Sequence, residues 1–127
     1  MYTDEAVING LSKRIIGCAF DVLNTLGPGF LEKVYENALA HELRQAGLTV
    51  TQQQGITVLY DGIIVGEYTT DLLVESIIII ELKAIRALDS AHATQCINYL
   101  KATGLRLCLL LNFGKPRLEI RRFVLGL

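Results

Sequence analysis

Apolar residues recur at Val7, Leu11, Ile15, Cys18, Val22 and Leu26, the three-and-four spacing that turns one face of a helix towards a core. Gly27-Pro28-Gly29 then breaks the pattern, because proline has no N–H to continue a helix. The period resumes at Leu31, Val34, Tyr35, Ala38, Leu39, Leu43 and Ala46, and Gly47 stands where a left-handed cap closes a helix. Two helices are predicted before residue 48. Beyond Leu48 the residues become β-formers: Ile56 to Tyr60, the step Asp61-Gly62, then Ile63 to Tyr68, which reads as a hairpin. Strand character continues through Asp71 to Val74 and Ile77 to Lys83. The run Ile77 to Ile80 has no polar face, so that strand should be central and covered on both sides. Asp89 or Ser90 can cap a third helix running to about Thr103 and closed by Gly104. Leu105 to Phe113 and Leu118 to Leu125 complete the chain as strands about a Gly114-Lys115-Pro116 turn. Two helices, three or four strands, one helix and two strands predict an α/β protein with helices packed on a mixed sheet. Neither a repeat nor a linker divides residues 1–127, so a single domain is expected.

At 127 residues, 51% apolar and 20% charged, with 2 prolines, the chain can bury a core and is not a low-complexity segment. Its 12 Lys+Arg against 13 Asp+Glu exclude a protein that coats nucleic acid by charge alone. That balance conceals two unequal parts: residues 1–83 hold 5 basic and 11 acidic residues, residues 84–127 hold 7 and 2. Arg106, Lys115, Arg117, Arg121 and Arg122 make the second part a region able to contact phosphates. No apolar run approaches the roughly 20 residues of a membrane span. The acidic start Met1-Tyr2-Thr3-Asp4-Glu5 is unlike a secretory signal, so cytoplasmic residence is expected. Cys18, Cys96 and Cys108 sit in apolar patterns and read as buried free thiols rather than a disulfide framework or a zinc site.

Four polar features interrupt these apolar surroundings. Asp71 lies within the strand segment Tyr68 to Val74, where a strand end or bulge would also accommodate an acid. Glu81-Leu82-Lys83 ends the aliphatic strand, with Glu81 and Lys83 on one face. Burying either charge alone is costly, so a partner, a metal or the mouth of the sheet is required. A three-residue turn over 75–77 would pair Val74 with Ile78 and set Asp71 opposite Glu81, whereas a two-residue turn would pair Asp71 with Ile80. In the first register two carboxylates share a face, which makes sense around a divalent cation. His92, Gln95 and Tyr99 form a polar stripe on the third helix, for which a solvated face is the ordinary alternative. Lastly, Gly29-Phe-Leu-Glu32-Lys-Val-Tyr35 opens the second helix, where the dipole alone favours Glu32.

Gly29, Glu32 and Tyr35 spell G-x-x-E-x-x-Y, and the chain resembles the GxxExxY protein family, grouped with the PD-(D/E)xK nucleases. The resemblance runs from about Ile15 through Asp71-Leu-Leu-Val-Glu and Glu81-Leu-Lys83-Ala to Gln95-Cys-Ile-Asn-Tyr99 and Asn112-Phe-Gly. It implies a restriction-endonuclease-like α-β-β-β-α-β core with an extra N-terminal helix and a C-terminal strand. It also implies Asp71 and Glu81 as metal-binding acids, Lys83 as the third catalytic residue, Glu32 as the acid of the preceding helix, and Gln95 and Tyr99 as the motif of the following one. Thr70 stands where the superfamily carries proline.

The expected activity is Mg²⁺- or Mn²⁺-dependent hydrolysis of phosphodiester bonds, in DNA before RNA. Such a cation lowers the pKa of water and polarises phosphate. Oxygen ligands without a His/Cys cluster favour these ions over zinc. Asp71, Glu81 and Glu32 are the expected ligands, with Lys83 orienting the water and Gln95 and Tyr99 as supports. The reading of another class is a catalytically silent nuclease-fold module used for binding or assembly. A homodimer would suit so small a domain, since one active site cuts one strand.

Overall fold

Asp4 opens the first helix, its carboxylate accepting the Ala6 N–H at 2.7 Å. The computed structural model describes residues 4–126, so Met1 to Thr3 of the acidic N-terminus lie outside the described residues. Helix α1 (Glu5–Leu26) buries Ile8, Leu11, Ile15, Ala19, Val22 and Leu23. The stripe is therefore shifted from the predicted one: Val7 is exposed and Cys18 only half-buried. With apolar residues at both 7 and 8 and at both 18 and 19, periodicity alone does not choose which of each pair faces inward.

Helix α2 (Glu32–Gln45) buries Tyr35, Leu39, Ala40 and Leu43, but Leu31, its N-cap, is 80% exposed. Gly47 takes the predicted left-handed conformation, φ 85°. Tyr35 explains how the helix is aimed. Its hydroxyl donates to Gly27 O at 2.6 Å and accepts the Phe30 N–H at 3.1 Å, so the Gly27–Phe30 turn is tied to the first turns of α2. Its ring stacks on Phe113 at 4.9 Å.

The strands are β1 (Val50–Tyr60), β2 (Ile63–Val74), β3 (Ile78–Lys83), β4 (Leu107–Asn112) and β5 (Glu119–Val124), with helix α3 (Ser90–Thr103) between β3 and β4. They form one sheet in the order β1-β2-β3-β4-β5, antiparallel throughout except that β3 and β4 run parallel. Helix α3 supplies the crossover that a parallel pair requires. Asp61 and Gly62 both have positive φ, 52° and 75°, as a two-residue type I′ hairpin demands. β1 starts earlier than predicted because Gln52-Gln53-Gln54 shows no apolar alternation.

The isoleucine-rich strand is the middle of the five and is buried on both faces. Ile78, Ile80 and Leu82 pack with α1 and α2, while Ile79 joins Cys96, Tyr99 and Leu100 of α3 on the other face. Every residue of β4 is buried as well. Among the described residues no helix is long and apolar enough to cross a membrane.

Candidate active site

β2 and β3 pair as Val74 with Ile78, Leu73 with Ile79 and Leu72 with Ile80, the register expected of a connection over 75–77. The ladder stops there. One step further, side chains take over from the backbone: the Asp71 N–H donates to Glu81 Oε1 at 3.0 Å, and the Leu82 N–H donates to Asp71 Oδ2 at 2.8 Å. The carboxylates thus fill each other's missing strand partners, which wedges the two strands open and holds both acids at the opening. The Thr70 hydroxyl makes a short hydrogen bond to the same Glu81 Oε1.

Glu81 is only 5% exposed. Burial, then the charge of Asp71, push its pKa from 4.5 to about 7, against the pull of Thr70, the Asp71 N–H and Lys83. Burial also raises Asp71, opposed by its bonds from Leu82 and Gln53. Glu32, in the first turn of α2, is raised by burial and then by Asp71, with Lys83 acting in the opposite direction. The charge of Asp71 on β2 therefore acts on both Glu32 of α2 and Glu81 of β3, and Lys83 acts on all three carboxyls. Lys83 is half-buried, and its ammonium has neither an ion pair nor a hydrogen bond among the described residues.

This arrangement sets a pH dependence for the metal-free protein. An unfolded glutamate ionises near its ordinary 4.5, whereas folded Glu81 holds its proton to about 7. The unfolded state binds fewer protons within that window, so stability is full below it and falls as pH rises through it. The expected loss is on the order of a few kcal/mol, seen as a lower Tm at pH 8 than at pH 5. Glu81→Gln should remove most of the slope, and an unchanged slope in that variant would contradict the assignment.

Other predicted residues fall differently. Tyr99 is buried with Cys96 and Leu100, so the stripe on α3 is no solvated face. Its hydroxyl lies 3.5 Å from Thr69 O, and burial followed by the charges of Glu81 and Asp71 raises its pKa to about 12. Gln95 has no hydrogen bond to the acids or to Lys83, and instead lines a cavity of about 260 Å³ with Tyr68, Asn98 and Tyr99. His92 caps α3: its Nδ1 accepts the Asp89 N–H at 3.1 Å, completing a reciprocal capping box.

The basic C-terminal residues are drawn to different partners. Arg122 reaches Asn9 and Ser12 of α1, Arg106 bonds Gly126 O, and Lys115 and Arg121 pair with Glu119 at 3.7 and 3.5 Å. Strand alternation and the Gly114 turn scatter charges that adjoin in sequence.

Several residues around the acids carried no signal as site residues. Gln53, at φ 54°, is skipped by the β1–β2 ladder, and its amide nitrogen lies 2.8 Å from Glu36 Oε1 and 3.4 Å from Asp71 Oδ1. Buried Glu36 also accepts from Gln52 at 2.7 Å and Lys33 at 2.9 Å. Only Glu36 could have been suspected, one helical turn beyond Glu32. Asn112 clamps the segment after Lys83, accepting the Ile85 N–H at 3.0 Å and donating to Ile85 O at 2.9 Å.

The donor set suits a hard divalent cation: two carboxyls at the opening, both raised in pKa by burial, with Glu32 of α2 raised by burial and by the charge of Asp71. Among the described residues no group of three or more His, Cys, Asp or Glu side chains is placed to hold a metal ion. Mg²⁺ does not require one, being held typically by one or two carboxylates together with water and substrate phosphates.

The chain belongs to the PD-(D/E)XK nuclease superfamily, whose family model matches residues 9–123. That superfamily consists usually of hydrolytic nucleases, typically using divalent metals. No curated protein and no solved structure matches the chain.

Proposed function

We propose that this chain is a Mg²⁺- or Mn²⁺-dependent nuclease that hydrolyses phosphodiester bonds in DNA, a member of the GxxExxY type acting in the cytoplasm as one domain. The observation that carries the reading is the opening of the β2–β3 ladder, with Asp71 and Glu81 facing each other and an unpaired Lys83 beside them. Asp71 and Glu81 would hold the cation, with Glu32 contributing directly or through water. Bound there, it supplies a Lewis acid for the phosphate and lowers the pKa of water.

The remaining work falls to the chain. Glu81 would have to give up its proton to serve as a ligand, since a carboxylate must be ionised to ligate. Lys83 aims its ammonium at the phosphate, where it orients the attacking water and counters the negative charge that grows on the phosphoryl oxygens. Tyr99, held with its hydroxyl near Thr69 O, supports that strand behind the acids. Gln95, in the neighbouring cavity, is assigned to the nucleic acid backbone rather than to the metal.

The deciding experiment incubates the protein with single-stranded DNA, duplex DNA and RNA, with Mg²⁺, with Mn²⁺ or with chelator. Cleavage of DNA that chelator abolishes is the expected result. Metal binding at the acids without cleavage of any substrate would instead identify a silent nuclease-fold binding module.

A further inference from the structure

Asp71 lies where β2 is passed over on both sides. The β1–β2 ladder joins Gln52 with Leu72 and Gln54 with Thr70 but skips Gln53 and Asp71, and the β2–β3 ladder ends at Leu72 with Ile80. On the β3 side the gap is filled by Glu81 and the Leu82 N–H. On the β1 side it is the Gln53 side chain that reaches across, its amide nitrogen 3.4 Å from Asp71 Oδ1.

The backbone that allows this reach is strained. Four described non-glycine residues have positive φ; Asp61, Glu75 and Ser76 lie in turns between strands, whereas Gln53, at φ 54°, stands inside one. Left-handed backbone costs least for glycine and next for residues such as asparagine, so a bulge needing only that conformation has no use for glutamine. Such strain persists where the surroundings hold it, and it gathers at functional sites. What holds Gln53 is Glu36, a carboxylate only 3% exposed. Its Oε1 accepts from Gln53 at 2.8 Å, and its Oε2 accepts from Gln52 at 2.7 Å and Lys33 at 2.9 Å. One N–H of the Gln53 amide is thus committed to Glu36, which leaves the other for Asp71.

We propose that Gln53, anchored by Glu36, is a positioning residue that fixes the Asp71 carboxylate for a divalent cation, a role that rests on the reading of Asp71 as a metal ligand. Asp71 Oδ2 accepts the Leu82 N–H at 2.8 Å, so a bond from Gln53 to Oδ1 sets the remaining rotation of the carboxylate. Each oxygen keeps a lone pair for the cation. A neutral amide suits this task where a charged group does not. Lysine or arginine would neutralise Asp71 and compete with the cation, and a further acid would add repulsion. Hydrogen bonds to ligating carboxylates of this kind govern metal affinity.

Calorimetric titration of the full chain with Mn²⁺ alone tests it, with circular dichroism to confirm folding. The wild type should bind, and Asp71→Asn should not. Gln53→Gly, which relieves the left-handed backbone, should weaken binding about 10- to 100-fold. Gln52→Ala removes an equally short bond to Glu36 but none to Asp71, and should leave the affinity unchanged. A fall of less than tenfold in Gln53→Gly would overturn the proposal and leave the metal site standing. An equal fall in Gln52→Ala would also overturn it, by tracing the effect to Glu36 and the fold. A wild type that binds no Mn²⁺ would instead remove the metal site, and the role of Gln53 with it. If Gln53→Gly fails to fold, Gln53→Asn, one methylene too short to bridge the two carboxylates, decides by the same tenfold threshold.

Discussion

Lys83→Ala is expected to slow metal-dependent cleavage by about 10²- to 10³-fold, the effect of removing one group that meets charge developing in a transition state. The side chain has no ion pair or hydrogen bond within the described chain, so its loss breaks no contact that the fold requires. Stability and secondary structure should therefore be unchanged. Metal binding should persist, because the acids and their backbone donors remain, although Lys83 no longer pulls the acids down and more protons must be displaced at pH 7. Lys83→Arg keeps the charge but replaces a compact ammonium by a planar fork, and should recover only part of the rate. Cleavage by Lys83→Ala within threefold of the wild type would remove Lys83 from the mechanism and with it the proposed site.

Gly114→Ala is expected to be the most destabilising single-methyl change around the site. A Cβ at this position would stand 2.3 Å from Ile85 N and Ile85 O and 2.7 Å from the Ala84 carbonyl carbon. All three are backbone atoms of the segment that leaves β3, and none can rotate away as a side-chain tip would. That segment is also held by Asn112 and by the Phe113 N–H, which donates to Lys83 O at 2.7 Å. The methyl group must therefore push apart two backbones that are hydrogen-bonded together. A cost of about 3 kcal/mol or more follows from overpacking against main chain, and a Tm lower by on the order of 10 °C. Because the displaced segment begins at Lys83, cleavage should fall as well, even at temperatures where the variant is folded. A Tm within a degree or two of the wild type would show that the close approach is not a constraint.

Some elements could be read directly from residues because their causes are local. The run Ile77 to Ile80 lacks a polar face, which no half-exposed strand tolerates, and β3 is central. Asp61-Gly62 and Gly104 adopt the left-handed backbone that these residue types permit most readily. The facing of Asp71 and Glu81 could be narrowed to two registers, and pairing of Val74 with Ile78 selects one of them. The reading failed where the cause is a distant neighbour. Nothing in Gln52-Gln53-Gln54 indicates that the middle glutamine leaves the ladder to bond Glu36 and approach Asp71. Nor does the basic C-terminal segment indicate that Arg122 is taken by α1.

The chain by itself determined the order of helices and strands and the central strand. Those follow from periodicity, turn chemistry and the cost of burying charge, all of which act within a few residues. Tertiary structure decided how the carboxylates are held. The opening of β2 from β3 lets Glu81 accept the Asp71 N–H and Asp71 accept the Leu82 N–H, and burial there raises Glu81 to about 7. It also set Gln95 in a cavity with Tyr68, Asn98 and Tyr99 and put β1 at an edge of the sheet. Electrostatic environment and edge exposure depend on which elements pack together, and no local pattern carries that information.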